Sequence, residues 1–179
     1  MGEQKSSSLA RVDAHISELL SRETPLERAG YAIVDARAER EPARLVLEVS
    51  GGAGSGVARY AIPAATAIDL LHARTTVRWG DFPTRGTVLD GVSEDMLLLI
   101  GDYLQALAFQ VMVKAGSGVS HRSLVRTLTR GTVRLCEREQ EAASSQSDGI
   151  PPDVFANLLD LARDLGDLIA AQRDDTGRG

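Results

Sequence analysis

Apolar residues recur every three or four positions through most of residues 92–173, which is the spacing of amphipathic helices. Residues 96–113 are apolar nearly all round, and Ser93 precedes them as an N-cap with Glu94 and Asp95 in the first turn. The pattern predicts three helices in this half. We expect residues 96–113 to form a central buried helix, followed by helices over residues 120–143 and 153–172.

The N-terminal half has a mixed pattern. Helical spacing from Leu9 to Leu20 predicts a short amphipathic helix, whereas five later segments have the short, β-branched or alternating composition of strands. The predicted strands cover residues 31–36, 45–49, 57–62, 75–79 and 87–89. The glycine-rich run over residues 50–55 is expected to be a hairpin turn between two of them.

These elements predict an α+β fold. A small antiparallel sheet in the N-terminal half would pack against the C-terminal three-helix segment with its central buried helix. Residues 8–173 are expected to form a single domain, with a mixed α/β part over 8–90 and a helical part over 92–173. Residues 1–7 and 174–179 are expected to be disordered.

Composition places few limits on function. The chain has 179 residues, a net charge of -5 and a single cysteine, Cys136, so an internal disulfide is impossible and a reducing compartment is favoured. The polar N-terminus has no signal-peptide pattern, which predicts a cytoplasmic protein. Eighteen arginines stand against two lysines, a bias typical of a GC-rich genome, and we expect a bacterial source.

The most ordered charge pattern is a run of arginines at every fourth position on one predicted helix. Its members are Arg122, Arg126, Arg130, Arg134 and Arg138. Four residues turn a helix by about 400°, so the arginines form a slanted stripe that lies opposite the apolar side. The stripe is predicted to face outward, as a partly ion-paired surface or as a partner-binding surface.

The last predicted helix has a complementary acidic face, which contains Asp160, Asp164 and Asp167. If the two helices form an antiparallel hairpin, Arg130 and Arg134 come level with Asp164 and Asp160. We therefore expect local pairing of the middle arginines and partner contacts at Arg122 and Arg138. Exposed pairs of this kind contribute about 0 to 1 kcal/mol each.

Two further features are candidates for function. Trp79 and Phe82 lie in a loop with acidic and basic neighbours, which could contact a partner or line a small pocket, although such aromatics often just cover a core. Asp102 lies inside the most apolar predicted helix, where a structural ion pair with Arg130 or a tuned catalytic carboxylate are the alternatives.

Other chemistry is not indicated by the sequence. The glycine run lacks the ending of a phosphate-binding loop, and His15, His72 and His121 are not at metal-ligand spacing. Cys136 has no nearby histidine in sequence and is expected to fill the core. No catalytic residue, cofactor or metal site is therefore predicted.

Three functions remain open on this basis. The first is a non-enzymatic interaction, assembly or regulatory protein that binds a protein partner or copies of itself through its charged faces. The second is a nucleic-acid-binding protein that uses the arginine stripe, which the acidic neighbouring helix disfavours. The third is a ligand-binding domain or small enzyme that uses the loop from Trp79 to Phe82. An enzyme is expected less than a non-enzyme, and no membrane association is expected.

Overall fold

The computed structural model describes residues 2–21, 23–37, 40–51, 58–82, 89–143 and 149–176. Within these ranges the chain forms seven α-helices and no strand. The helices are α1 (Gly2–Leu19), α2 (Pro25–Asp35), α3 (Glu41–Val49), α4 (Ala58–Trp79), α5 (Glu94–Lys114), α6 (Val119–Ala142) and α7 (Pro152–Thr176).

The predicted α+β fold is therefore wrong. The segments predicted as strands at residues 31–36 and 45–49 lie almost wholly in α2 and α3, and residues 75–79 form the last turns of α4. Residues 58–62 of a fourth segment begin α4. The remaining strand falls largely at residues 83–88, and most of the predicted glycine-rich turn at residues 52–57, both outside the described residues.

Local signals explain why α2 and α3 are helices. Thr24 accepts a hydrogen bond from the backbone N–H of Glu27, and the Glu27 carboxylate accepts one from the backbone N–H of Thr24, which is a complete capping box for α2. α3 begins at Glu41 with Pro42 in its first turn, where proline is favoured. Its buried residues follow helical spacing and are Pro42, Ala43, Val46 and Leu47.

α4 is the central helix of the fold, and the prediction that residues 96–113 would be central and fully buried is wrong. From Ala61 to Val77 nearly every α4 side chain is buried, and α4 packs on α1, α2, α3, α5 and α7. Several of these residues are alanines, which let neighbouring helices approach closely. α5 packs extensively on α4 with one side and leaves the other exposed.

The first and last helices extend beyond the domain predicted at residues 8–173. α1 begins at Gly2, inside the seven residues expected to be disordered, and α7 continues to Thr176, inside the expected tail. α5, α6 and α7 otherwise lie within a few residues of the three predicted C-terminal helices.

α3 and α7 touch closely enough to require a glycine. A Cβ atom added at Gly166 of α7 would lie 2.7 Å from Val49 Cβ and 3.3 Å from the carbonyl oxygen of Val46. Both neighbours are at or next to the backbone of α3, so they cannot rotate away. This contact fixes α7 against the N-terminal helices, and the first turn of α7 closes one side of the cavity described below.

Candidate functional site

A carboxylate with no solvent exposure lies in the middle of α4. Asp69 accepts a hydrogen bond from Arg37 Nη2 at 2.9 Å and another from Arg40 Nη2. Both arginines come from the connection between α2 and α3, and their side chains are 6% and 11% exposed. Arg40 also pairs with Asp13 of α1, which is largely exposed. The cluster thus ties α1 and the α2–α3 connection to the central helix.

Because the Asp69 carboxylate is buried, it requires the two arginines as partners. A charged carboxylate inside an apolar helix costs several kcal/mol unless cations and hydrogen-bond donors compensate for its lost solvation. The two guanidinium groups supply that compensation for Asp69. Because they share one buried carboxylate and Asp13 is near solvent, the buried part of the cluster has one more positive charge than negative charges.

Arg37 still has unused hydrogen-bonding capacity. Its Nε and Nη1 atoms are buried and have no hydrogen-bond partner among the described residues, and the same is true of Arg40 Nε. A buried donor without a partner costs about 1–3 kcal/mol. Burial also lowers the pKa of Arg37, which Asp69 opposes, and the guanidinium stays charged at neutral pH. An anion next to Arg37 would relieve this cost.

Arg37 lines a cavity of about 560 Å³, a typical size for a small-molecule site. The wall combines polar side chains from the N-terminal half with apolar side chains from two later segments. Its residues are Ala36, Arg37, Glu41, His72, Thr76, Asp81, Phe82, Ile150, Pro152 and Phe155. One side of the cavity is therefore polar, with one guanidinium group and the two exposed carboxylates of Glu41 and Asp81, and another is aromatic and aliphatic.

His72 is the buried imidazole of this cavity. Burial and, to a smaller extent, the nearby positive charge of Arg37 lower the pKa of His72 from 6.5 to about 4. His72 is therefore neutral at pH 7. Its ring lies 5.6 Å from the Phe155 ring, and its Nδ1 atom has no hydrogen-bond partner among the described residues. A neutral imidazole has one nitrogen that donates and one that accepts.

The end of α4 directs Asp81 and Phe82 to the cavity. The N–H of Gly80 donates to the carbonyl of Val77 at 3.2 Å, and the N–H of Asp81 donates to the carbonyl of Thr76 at 3.0 Å. This is a Schellman motif, in which the residue after the helix has a positive φ, here 64° at Gly80. The chain reverses there and brings the next two residues back over His72 and Thr76.

The described residues do not fit a metal centre. They contain no group of three or more His, Cys, Asp or Glu side chains placed to hold a metal ion. Of the carboxylates near the cavity, Asp69 is held by two guanidinium groups, while Glu41 and Asp81 are exposed and are not part of such a group.

The charged residues predicted as a partner surface are all exposed on α6 and α7, away from each other. Arg122, Arg126, Arg130, Arg134 and Arg138 lie on α6, and Asp160, Asp164 and Asp167 lie on α7.

The expected pairing between these two helices is not formed. Arg138 pairs with Glu141 at 2.8 Å and Arg163 pairs with Asp160 at 3.3 Å, each within its own helix. Among the described residues no ion pair joins α6 to α7. Two helices that both dock by their apolar sides turn their charged sides outward, which separates the two faces.

The loop from Trp79 to Phe82 and the carboxylate of Asp102, the other two candidates from the sequence, do not form one site. Phe82 lines the main cavity, while Trp79 is half-buried against the core and does not line that cavity. Asp102 is exposed and pairs with no arginine of the stripe; it lines a smaller cavity of about 240 Å³ near the Arg74–Glu139 ion pair. Asp102 is therefore not the buried carboxylate that the apolar pattern suggested.

Sequence analysis did not identify Arg37, Arg40, Asp69 or His72 as a site. A signal was present, because Asp69 stands alone in the alanine- and leucine-rich segment that follows residue 60. A carboxylate there needs a buried cation, and Arg37 and Arg40 stand about thirty residues earlier. The signal was lost because residues 57–62 and 75–79, on either side of Asp69, were predicted as strands, so no long buried helix was expected there.

The sequence matches no protein-family profile and no curated protein sequence. Solved structures do match. A geranyltranstransferase from Thermotoga maritima aligns with a TM-score of 0.73 at 19% identity, over 93% of this chain and 69% of that one. A geranylgeranyl pyrophosphate synthetase from the archaeon Geoglobus acetivorans aligns with a TM-score of 0.73 at 22% identity, over 96% of this chain and 60% of that one.

This chain has the isoprenoid synthase fold. A third match is a heterotetrameric geranyl pyrophosphate synthase from mint, with a TM-score of 0.69 at 14% identity over 96% of this chain and 74% of that one. All three are prenyl-transferring or prenyl pyrophosphate-forming enzymes by their names, and their structural similarity to this helical chain again contradicts the α+β prediction.

The same matches overturn the functional hypothesis. The matched proteins are enzymes by their names, which contradicts the expectation of a non-enzymatic assembly or regulatory protein and the expectation that an enzyme is the lesser alternative. They give no support to nucleic-acid binding. The expectation of a protein partner or a second copy agrees with them in general terms, since the mint synthase is an assembly of several subunits.

Proposed function

We propose that this chain is an enzyme of isoprenoid diphosphate chemistry that binds its substrate in the cavity between the α2–α3 connection, α4 and the start of α7. The observation that carries the proposal is the buried guanidinium of Arg37, which has two unused nitrogen atoms and belongs to a residue that lines a cavity with an aromatic and aliphatic side. The fold supports the same class of substrate.

The two sides of the cavity match the two ends of such a substrate. A diphosphate is a doubly forked anion, and guanidinium groups bind phosphate oxygens through pairs of parallel N–H bonds. The prenyl tail is a branched hydrocarbon, which would pack on Phe82, Ile150 and Phe155. Neutral His72 would donate a hydrogen bond to a phosphate oxygen without adding a charge.

Binding requires a small rearrangement of Arg37. Its Nε and Nη1 atoms are buried, and its Nη2 atom is held by Asp69. The side chain must turn toward the cavity before a phosphate can reach the unused nitrogens. Arg40 remains on Asp69 in that event, so the buried carboxylate keeps one cationic partner throughout.

The reaction class is transfer of a prenyl group. The bond between the prenyl carbon and the diphosphate oxygen breaks, and the diphosphate leaves with the electron pair. The prenyl carbon then bonds to an electron-rich acceptor, and the proton that the acceptor loses passes to the departing diphosphate or to water. Arg37 would stabilise the leaving diphosphate, and the aromatic wall would exclude water. With a pKa of about 4, His72 is too weak a base at pH 7 to remove that proton, so its role is hydrogen bonding.

Binding is tested by thermal unfolding of the protein with geranyl diphosphate, geraniol or inorganic diphosphate. At a ligand concentration one hundred times Kd, a ligand stabilises the folded state by about 2.7 kcal/mol. For a chain of this size that corresponds to a rise in Tm of about 5–10 °C. We expect the largest rise with geranyl diphosphate, which has both ends, and a smaller one with inorganic diphosphate.

Variants locate the site. Arg37→Gln should abolish the shift with geranyl diphosphate, Arg37→Lys should reduce it, and Arg126→Gln, on the exposed face of α6, should leave it unchanged. Circular dichroism establishes that each variant is folded. Release of diphosphate from geranyl diphosphate, with and without Mg²⁺, then tests turnover. No shift with any diphosphate, or equal shifts in the Arg37 and Arg126 variants, would refute this site.

A further inference from the structure

A second cavity lies on the other side of α4 from the proposed substrate site. It has a volume of about 240 Å³ and is enclosed by α4, α5 and α6. The two cavities share no lining residue. The chemistry of the second cavity comes from six polar residues, which are Arg74, Arg78, Asp102, Cys136, Glu139 and Gln140.

Cys136 stands between this cavity and a neighbouring groove. The sequence led us to expect this residue in the core, but it is partly exposed. It lines the second cavity and also a groove of about 300 Å³ between α5 and α6. These two helices make few contacts with each other, whereas α5 packs extensively on α4. Cys136 therefore has open space on two sides.

A buried carboxylate with an unmet hydrogen bond belongs to the same cavity. Glu139 pairs with Arg74 through Oε2, and its side chain is 3% exposed. The Oε1 atom of Glu139 is buried and has no hydrogen-bond partner among the described residues. A buried acceptor without a donor is destabilising. A ligand that brings an N–H donor to Glu139 would relieve this cost, so the unmet bond points to a small-molecule site.

The charges around the cavity suit a ligand that carries both signs. Arg78 and Asp102 are exposed and have no ion-pair partner among the described residues. Together with Arg74 and Glu139 they supply charges of both signs in equal number. A ligand carboxylate can pair with Arg78, while a ligand ammonium can pair with Asp102 or donate to Glu139. A ligand of a single sign would meet like charges at one of these positions.

The sulfur of Cys136 adds a nucleophile to this site. Arg74 Nη2 donates a hydrogen bond to Cys136 Sγ at 3.7 Å. A cationic donor stabilises the negative charge of a sulfur that reacts as a thiolate. Because Glu139 offsets part of the Arg74 charge, we expect the cavity to select its reagent by binding rather than through an unusually reactive thiol.

We propose that Cys136 undergoes reversible exchange with a low-molecular-weight disulfide whose halves each carry an amino-acid end, as cystine and glutathione disulfide do. The Cys136 thiol loses its proton to water, and the thiolate attacks one sulfur of the disulfide. A new sulfur–sulfur bond forms and the old one breaks. The departing half leaves with the electron pair and takes a proton from water.

The disulfide is the oxidant in this step. Cys136 is oxidised to a mixed disulfide, one half of the reagent is reduced to a thiol, and an excess of free thiol reverses the exchange. The retained half would lie in the second cavity, with its carboxylate near Arg78. The proposal is independent of the proposed function, since it uses no residue of the main cavity.

Unselective reaction of a partly exposed thiol is the alternative explanation. Such a thiol would prefer the same disulfides in the folded and the unfolded chain, because only the chemistry of the two sulfurs would set the rates. A binding site would change the order of preference on folding. The relative rates with disulfides of different charge therefore separate the two explanations.

Intact mass spectrometry measures the exchange directly, because Cys136 is the only cysteine in the chain. The protein is incubated at neutral pH, folded or in urea, with one of four disulfides. Cystine has both charges, cystamine only ammonium groups, dithiodipropionate only carboxylates, and bis(2-hydroxyethyl) disulfide is the neutral reference. Relative to this reference, we expect folding to favour cystine at least about fivefold, and more than it favours the other two.

Charge-reversed variants locate the ligand. Arg78→Glu should slow the reaction with dithiodipropionate at least about threefold and speed the reaction with cystamine, and Asp102→Lys should do the opposite. Both side chains are exposed, and circular dichroism establishes that each variant is folded. Arg122→Glu is the matched control, because it lies about 21 Å from Cys136 along α6, and it should change each rate by less than about twofold.

Three results would overturn the proposal. The first is no mixed disulfide with cystine in the folded protein, or one that excess cysteine does not reverse. The second is the same order of preference in the folded and unfolded chain. The third is an equal response of the Arg78 and Arg122 variants, which would show that the cavity does not bind the reagent.

Discussion

The buried imidazole of His72 predicts a specific loss of stability at mildly acidic pH. Its pKa is about 4 in the folded chain and 6.5 in the unfolded chain. As the pH falls below 6.5, the unfolded chain binds a proton that the folded chain does not. The stabilisation is therefore present in full above pH 6.5 and is lost progressively between pH 6.5 and 4.

The size of the effect follows from the two pKa values. One pKa unit corresponds to about 1.4 kcal/mol, so His72 should remove about 3 kcal/mol from the free energy of unfolding between pH 7 and pH 4. By pH 5 the loss should already be about 2 kcal/mol. That is a large share of the 5–15 kcal/mol that stabilises a typical domain.

Urea unfolding at constant ionic strength, between pH 7 and pH 5, measures this loss. A His72→Gln variant has no titrating group at this position, so its unfolding free energy should depend less on pH by about 2 kcal/mol over that interval.

His15 needs a matched variant, because burial also lowers its pKa and its contribution has the same sign. His15→Gln should remove less of the pH dependence than His72→Gln, since His15 is only half-buried. Working above pH 5 also avoids the acidic contribution of Glu27, whose pKa is lowered from 4.5 by its hydrogen bonds at the start of α2. If the wild-type protein and the His72 variant lose equal stability, the neutral buried imidazole is refuted.

Two further predictions concern packing and the ion cluster. Gly166→Ala should destabilise the fold by about 1–3 kcal/mol in urea unfolding, because the new Cβ atom meets Val49 Cβ at 2.7 Å. Gly101→Ala is the matched substitution. Its new Cβ atom has its nearest neighbours at 3.8 Å, so it should stabilise α5 by about 0.5–1 kcal/mol. The opposite order would contradict the packing of α3 on α7. Asp69→Asn should cost about 3–5 kcal/mol, because it leaves two guanidinium groups buried with an amide, and unchanged stability would show that this cluster is not buried in solution.

The C-terminal helices were predictable because their patterns are long. These helices have 21 to 25 residues, and about six to seven turns of regular spacing outweigh local propensity. The capping by Ser93 is also visible in the sequence. The outward orientation of the arginine stripe followed from the same helical spacing, which places the arginines opposite the apolar residues. What the pattern could not show was which helix is central, since α5 has apolar residues on its exposed side as well.

The N-terminal helices were missed because short apolar runs are ambiguous. Residues 45–49 have the composition of a strand, but Ala43, Val46 and Leu47 are buried at helical spacing in α3, and Pro42 opens a helix more readily than a central strand. Similarly, residues 57–62 were predicted as a strand, yet residues 58–62 belong to the first turns of α4, followed directly by Pro63 inside the same helix. Tertiary packing decided these segments, and it also brings together the residues of the site.

Asp69 and an anionic ligand compete for the same guanidinium. In the proposed site, a phosphate that accepts hydrogen bonds from Arg37 weakens the Arg37–Asp69 ion pair, which attaches the α2–α3 connection to α4. Ligand affinity and the stability of this attachment are therefore linked in one thermodynamic cycle. By reciprocity, any substitution that loosens this connection in the unliganded protein lowers the free energy needed to turn Arg37 and tightens binding. In the proposed function, the same cluster therefore sets both how firmly the N-terminal helices are held and how strongly the diphosphate binds.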